Sequence, residues 1–510
     1  MSIQLVKETV IAGIAAQASA QQMTVEAEAL LPGGLRDEVR VLHVEARAVP
    51  LGCEVSGGRA MISGRVDFHA LYAQGDLTRV KVAEVRKDFS RALNIAAGQE
   101  AADFLPVCEV NEVTHRVFNG RLLLGADLNL YAQAISAQEA SVVVSVQEEN
   151  VQALEKEFAV QQIVGSGAAQ GLVRGEVEVS EALNAAEALI AQAEARVEDI
   201  LGGADGRATV TGTIDLTACY ASLLPGRPVV YSQHSLPFEQ QVTLSGEMGD
   251  MLSASAEVTD TAVALEGDEN GKILRAEVGI DIRMEAIREQ RVHLLTDAFA
   301  TDSGTVLEGE EISFCTDIIN EQTSESARVQ LLLPESAPRI KTVLCAFAQP
   351  VLAGAKEQGG RLNVDLSLRT TLLYMTEDSG IPVSHTAEEP LRLAFPCGAK
   401  SEDMLSLTAS HVEASMVAGD RAEVRCVVTL HASGARFEKV FAVKNLERDE
   451  KAAAAGALAL YITQPGERLW DVMKRYRLSE SALKALNEQV KDCAADAELP
   501  ISTRLIAYRR

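Results

Sequence analysis

Aromatic residues are scarce in this 510-residue chain, at 4% of positions with a single tryptophan, Trp470. Platforms that stack on bases or sugar rings can therefore be few. Positive charge is also short. There are 47 Lys and Arg against 73 Asp and Glu, a net charge of −26, and such a body repels nucleic acid and anionic lipid surfaces. The eight cysteines stand at irregular positions with no Cys-x-x-Cys spacing, which argues for reduced thiols rather than a disulfide framework or zinc sites. No run approaches the roughly 18 apolar residues of a membrane span. The opening MSIQLVKETV lacks a basic region followed by an apolar stretch, so neither a signal peptide nor membrane insertion is expected. These absences predict a cytoplasmic protein, and no cofactor is implied.

What the chain does contain is a stretch stated three times: GGRAMISGRVDFHALY at 57–72, DGRATVTGTIDLTACY at 205–220 and GGRLNVDLSLRTTLLY at 359–374. Gly-Arg and the closing Tyr keep the same spacing in each copy. Ile62, Gly64, Val66, Phe68, Ala70 and Tyr72 alternate with mostly polar neighbours, as do their counterparts in the other copies. A period of two is the pattern of a half-buried strand. The register extends further, since LVKETV at 5–10 matches LEKEFA at 154–159, and Leu31-Pro32 matches Leu333-Pro334. The chain thus reads as three β-rich domains of similar size, 1–147, 148–293 and 294–446, then a linker at 447–456 and a small α+β domain at 457–510.

Within a domain two hairpins are predicted. The first pairs 41–55 with 60–72 across Ser56-Gly57-Gly58. The second pairs 102–117 with 122–132 across Asn119-Gly120, with Asn270-Gly271 and Gly419-Asp420 at the matching turns. Asn-Gly between alternating apolar runs is a strong hairpin signal. A third strand is expected at 82–93, 229–242 and 391–395. The Ala-, Leu- and Glu-rich segment 180–200 favours helix by propensity. Its counterpart at 31–51 holds Pro32-Gly33-Gly34 and then a Val-rich run. We therefore expect strand over 190–200 and leave 180–189 open as a short helix.

The last fifty residues change character. A strand at 458–463 ends at Pro465-Gly466. Leu469, Val472, Met473 and Tyr476 then follow helical spacing, Ser479 is placed to cap a second helix carrying Leu483, Leu486 and Val490, and 504–508 closes as a strand. The predicted order is βααβ. Residues 457–510 hold nine Lys and Arg against seven Asp and Glu, which leaves −28 on the remainder.

Tyr461, Pro465-Gly466, Leu469-Trp470, Tyr476, Leu483, Asn487 and Leu505-Ile506 give this tail its resemblance to the LysM family. That resemblance implies a groove for N-acetylglucosamine-rich glycans between two loops. In this sequence the first loop is Pro465, Gly466, Glu467, Arg468 and Leu469, and the second is Leu499, Pro500, Ile501 and Ser502. Where Asp-Thr is usual after Pro-Gly this chain has Glu467-Arg468, and Ser502 stands where a glycine is usual. The three β domains resemble the SPOCS repeat of spore-forming Firmicutes through their Leu-Pro segment and Gly-Arg…Tyr strand. SPOCS repeats followed by one LysM domain are similar to clostridial coat morphogenetic proteins. The order implies a mother-cell protein gathered at the forespore surface, with its LysM domain on the spore coat ATPase. Binding of peptidoglycan through the same loops is the alternative.

Catalytic motifs do not hold together in the sequence. Gly165-Ser166-Gly167 precedes a strand-like segment where a phosphate loop needs a helix. Ser481 and Lys484 are neighbours on a short amphipathic helix. His69 stands where the other copies have Thr217 and Thr371. The repeated Tyr72, Tyr220 and Tyr374 read as core residues, the Gly-Arg pairs as turns with a solvated charge, and Arg468 as a loop residue. No enzyme, metal site or catalytic residue is expected.

Overall fold

The computed structural model describes residues 3–31, 38–75, 77–96, 104–203, 205–268, 271–378, 380–449 and 457–509. Pro32-Gly33-Gly34, the start of the second hairpin at Ala102, Asn270 and most of the expected linker fall outside these residues. The molecule is mainly β, 79% strand and 4% helix.

Strands β1 (Leu5–Leu30), β2 (Val39–Ser56), β3 (Arg59–Gln74), β4 (Val80–Asn94), β5 (Leu105–Phe118) and β6 (Arg121–Val146) form the first lobe. The second holds β7 (Val151–Val179), β8 (Ala185–Gly202), β9 (Arg207–Leu224), β10 (Arg227–Thr243), β11 (Ser245–Gly246), β12 (Met251–Asp268) and β13 (Gly271–Ala300). The third holds β14 (Gly304–Leu332), β15 (Ile340–Gln358), β16 (Arg361–Thr376), β17 (Pro382–Phe395), β18 (Met404–Ala418) and β19 (Arg421–Asp449). Each lobe stacks two antiparallel sheets, ordered β1-β6-β5 on β2-β3-β4, β11-β7-β13-β12 on β10-β9-β8, and β14-β19-β18 on β15-β16-β17. The thrice-stated stretch supplies β3, β9 and β16, the middle strand of one sheet in each lobe. Its alternate residues are buried, with Tyr72, Tyr220 and Tyr374 among the largest enclosed side chains, and each lobe has its own apolar cluster.

Turn chemistry sets the register locally. Gly57 and Gly58 both adopt positive φ between Ser56 and Arg59, and Asn119-Gly120 does the same between Phe118 and Arg121. This is the twist that two-residue hairpins require. At 180–200 tertiary pairing outweighs helix propensity, because β8 lies along β9 and only Glu181–Leu183 forms a short 3₁₀ turn.

The interior strands of the other three sheets run much further than the sequence suggests. β6 continues from the expected 132 to Val146, and β13 passes through the expected boundary at 293 to Ala300. β19 extends through 447 to Asp449, into the expected linker. These extensions pair β1 with β6, β7 with β13 and β14 with β19 into three two-stranded stalks. The stalks share one core, with Val10 and Val142 from the first, Val160 and Leu294 from the second, and Phe314 and Val440 from the third. Their approach is close. A Cβ on Gly13 would lie 2.9 Å from the Cys315 Cβ and 3.1 Å from the Phe437 ring.

The lobes also close into a ring. Each β2-β3-β4-type sheet reaches the irregularity in an outer strand of the next lobe, at Val258/Asp260 in β12, Ser410/Glu413 in β18 and Val110/Glu112 in β5. Arg47 donates to the Val258 carbonyl and Arg65 to that of Thr259, the latter at 3.2 Å. Gln233 donates to the Val412 carbonyl at 3.4 Å, and Gln349 and Arg369 to those of Val110 and Asn111, both at 3.5 Å. At the centre Leu71, Cys219 and Leu373 meet in one cluster. Such head-to-tail contacts stop growing only when the rotation closes, as it does here within one chain.

Because one core is shared by three stalks, heat should unfold residues 3–449 in one cooperative transition, seen as a single calorimetric peak. Phe314→Ala should cost about 3–5 kcal/mol and lower that whole transition. Separate transitions for the lobes would contradict the shared core.

Candidate functional site

The tail forms β20 (Ala457–Ile462), α1 (Leu469–Tyr476), α2 (Glu480–Leu486) and β21 (Arg504–Arg509). β20 and β21 pair antiparallel from Ala457–Arg509 to Ile462–Arg504, and their inward Leu505 and Ala507 join Leu469, Trp470, Met473 and Leu483 in a core. Ser479 caps α2 by accepting from the Ala482 amide at 3.2 Å. That helix ends at Leu486, short of Val490. The Asn487 side chain donates to the carbonyls of Leu483 and Ile506, each at 2.8 Å, and accepts from the Ile506 amide at 2.6 Å. Asn487 thereby ties the helix end to β21, and Val490 follows in a 3₁₀ turn.

The two loops named from the sequence lie side by side. Leu499 N–H donates to the Glu467 carbonyl at 2.9 Å, Arg468 bridges Glu498, and the Thr463 hydroxyl donates to the Pro500 carbonyl at 2.7 Å. Their nine residues divide sharply in role. Leu469 and Leu499 are buried in the core. Glu467 is buried too and fully engaged. It accepts from the Tyr461 hydroxyl at 2.5 and 2.7 Å and from the Gln464 amide at 3.0 Å, and it pairs with Arg475 at 3.1 Å.

Arg468 lies in the loop as expected and serves as the N-cap of α1. Its amide donates to Asp471 at 2.9 Å and its guanidinium to the same carboxylate at 3.1 and 3.3 Å. Burial opposes ionisation of Asp471, yet the Arg468 hydrogen bonds hold its carboxyl below the usual range. Pro465, Gly466, Pro500, Ile501 and Ser502 are left exposed, with Ile501 at 66%. They form a rim of small and apolar groups without a charged side chain, which suits contact with another surface better than proton transfer.

This module is seated on the body. Trp470, 1% exposed, packs edge-on against Phe299 of β13 with ring centroids 5.1 Å apart. Its indole N–H donates to Asp297 at 2.8 Å, and Lys474 reaches the same carboxylate at 2.6 and 2.8 Å. The Glu480 amide donates to Gln152 of β7 at 3.1 Å. The rim faces solvent while α1 faces the stalk. Asp297 carries no motif that would single it out, since its role comes from the end of a strand over 170 positions away in sequence.

A second feature had no signal in the sequence. A cavity of about 2310 Å³ is lined from all three lobes, including Arg47, Asp67, Glu194, Asp215, His411 and His431. Glu194 and Asp215 stand directly opposite each other on β8 and β9, an arrangement that like charges disfavour. Each meets a histidine of the third lobe, His431 at 3.4 Å and His411 at 3.3 Å, and Thr408 donates to Glu194. His69 lies 3.7 Å from Glu45, which accepts from Gln192 at 2.6 Å. Burial opposes ionisation of Glu45, but His43, His69 and Gln192 outweigh it and hold the carboxyl low. These groups stitch lobes together. Gly165-Ser166-Gly167 lies within β7, and Ser481 is exposed on α2 while Lys484 pairs with Glu480 at 2.7 Å.

The eight cysteines, all among the described residues, form no disulfide with one another, and among the described residues no helix is long and apolar enough to cross a membrane. No known protein family, curated protein or solved structure matches this chain.

Trp470 is the only tryptophan, so its fluorescence reports on this seat alone. Asp297→Ala should cost about 1–3 kcal/mol, the penalty for stranding donors of a charged acceptor, and shift Trp470 emission to the red. Unshifted emission would show that the module stays seated without Asp297.

Proposed function

We propose that the chain is a non-catalytic morphogenetic scaffold of the bacterial spore coat, SipL-like in its order of three SPOCS-type β domains and one LysM domain. It would act in the mother-cell cytoplasm, where the LysM module recruits it to the coat ATPase at the forespore surface. The observation that carries this reading is the charge-free rim of Pro465, Gly466, Pro500, Ile501 and Ser502, held open to solvent on a module firmly seated on the body. The thrice-repeated middle strand supports the SPOCS-type assignment.

The rim's chemistry favours a protein over a glycan. A glycan groove needs free polar groups to meet sugar hydroxyls. The charged side chains of these loops, Glu467 and Arg468, are instead spent on Tyr461, Arg475 and Asp471. An apolar exposed side chain such as Ile501 gains by leaving water at a protein interface. The two β-rich faces of each lobe would then serve as assembly surfaces for further coat proteins.

The test offers the intact chain two baits, the coat ATPase of the same cell and insoluble peptidoglycan. The intact chain is needed because Trp470 is buried partly by the body. Retention on the ATPase is expected, and Ile501→Asp should weaken it by about tenfold or more, as loss of a central apolar contact does, without lowering the melting temperature. Retention on peptidoglycan alone would replace the scaffold reading with that of a wall-glycan reader.

A further inference from the structure

At the centre of the ring two thiols from different lobes are neighbours. Cys219 of β9 and Cys345 of β15 belong to one buried cluster with Leu71 and Leu373, and they are 3% and 2% exposed. Cys345 shares a side-chain hydrogen bond with Cys219. Their positions recur in every lobe. His43 lies across from Leu71 on β2 and β3, Ile190 across from Cys219 on β8 and β9, and Cys345 across from Leu373 on β15 and β16. Leucine, isoleucine and histidine thus fill the matching places elsewhere, and packing at this centre does not call for sulfur. A buried cysteine is often no more than a small hydrophobe. Here two of them meet across a lobe boundary.

That boundary has the weakest fastening of the three. The second and third lobes are joined by Gln233 on the Val412 carbonyl and by histidine–carboxylate pairs. Guanidinium donors serve at the other two joints.

We propose that Cys219 and Cys345 are a disulfide-forming pair that locks the second lobe to the third when the chain meets an oxidant of the low-molecular-weight disulfide class, RSSR. One protein thiol gives up its proton, and its thiolate attacks RSSR, forming a mixed disulfide and releasing RS⁻, which takes up a proton as RSH. The second protein thiolate then displaces the remaining RS⁻ in the same way. The two protein thiols lose two electrons and two protons, and RSSR becomes two RSH. Bond formation draws the sulfurs to about 2.05 Å and ties together strands distant in the chain, which restricts the unfolded ensemble.

Side chains two apart on a strand share a face, and Thr217, two positions before Cys219, lines the large cavity. A small disulfide has its approach from that side. The hydrogen bond with Cys219, together with burial, pushes the Cys345 thiol well above its usual range, so its thiolate is scarce and the exchange slow. The pair therefore stays reduced under brief exposure and oxidises under sustained exposure. The lock does not rest on what the Pro465–Ile501 rim binds.

The test incubates the full chain with glutathione disulfide and maps its peptides without reduction. A species joining the peptides of Cys219 and Cys345 is expected. The melting temperature of the main transition should rise by a few degrees and fall back on adding dithiothreitol. Cys219→Ala should remove both the linked species and the rise. Should that variant fail to fold, Cys345→Ala removes the same pair from the other side. Cys493→Ala, in the C-terminal module, should form the link as the parent does. A parent chain in which the link never forms, including one that keeps glutathione on either thiol as a lasting mixed disulfide, would overturn the proposal. So would a link that forms without raising the melting temperature, because it would lock nothing.

Discussion

A two-stranded antiparallel stalk has two faces and can bury neither by itself. This limit governs the molecule. β1 with β6, β7 with β13 and β14 with β19 extend beyond the sheets that cover them within their lobes, and the extensions are apolar on one side. An isolated ribbon of this kind is marginal in water. Three of them, packed so that Val142, Leu294 and Phe314 enter one core, remove that side from solvent at once. The lobes are therefore bound together at the level of secondary structure, and their connection does not depend on linkers.

Ring closure adds a second constraint with a different chemistry. Each lobe offers bare carbonyls where an outer strand is irregular, and each must find donors in a neighbour. Two joints are supplied by guanidinium groups, Arg47 and Arg65 at one and Arg369 at another. The third has Gln233 as donor, and beside it Glu194 and Asp215 meet His431 and His411. The joints occupy equivalent places yet use different residues, so each lobe is fitted to one neighbour. The large cavity is what remains where three such sheets converge with polar side chains turned inward.

The C-terminal module takes its place from the same architecture. The end of β13 carries Asp297 and Phe299 past the lobe cores, and Trp470 and Lys474 of α1 close over them. The seat consumes the helical face and leaves the loop rim and the ribbon outward. Within the loops, Glu467 and Arg468 maintain the turn and the helix start, which leaves the small and apolar residues around Ile501 exposed. A module held by one face offers its other faces in fixed directions.

Much of this was legible in the sequence wherever the cause is local. Alternation along 57–72 and its copies specified strands, because a side chain on a pleated strand can face only one of two ways. Gly57-Gly58 and Asn119-Gly120 specified turns, because few residues tolerate positive φ. Ser479 specified a helix start, because its side chain satisfies an amide three residues on. The tail's strand, helix, helix, strand order followed from the same signals. Other features depended on partners distant in the chain. How far β6, β13 and β19 run is set by pairing with β1, β7 and β14, distant in the chain, so no local signal marks it. Residues 185–200 became strand because β9 offered hydrogen bonds that outweigh helix propensity. Arg468 reads as a loop residue, and only the structure shows its guanidinium held by Asp471. Glu194, Asp215, His411 and His431 are unremarkable in sequence and meet only when the lobes close. The sequence alone determined which segments are strands, turns and helices, since those choices are made by each residue's own geometry and its near neighbours. Only the tertiary structure decided how far the strands run, which charges meet and where the C-terminal module sits, since those outcomes depend on surfaces that exist only after three separate lobes have folded against one another.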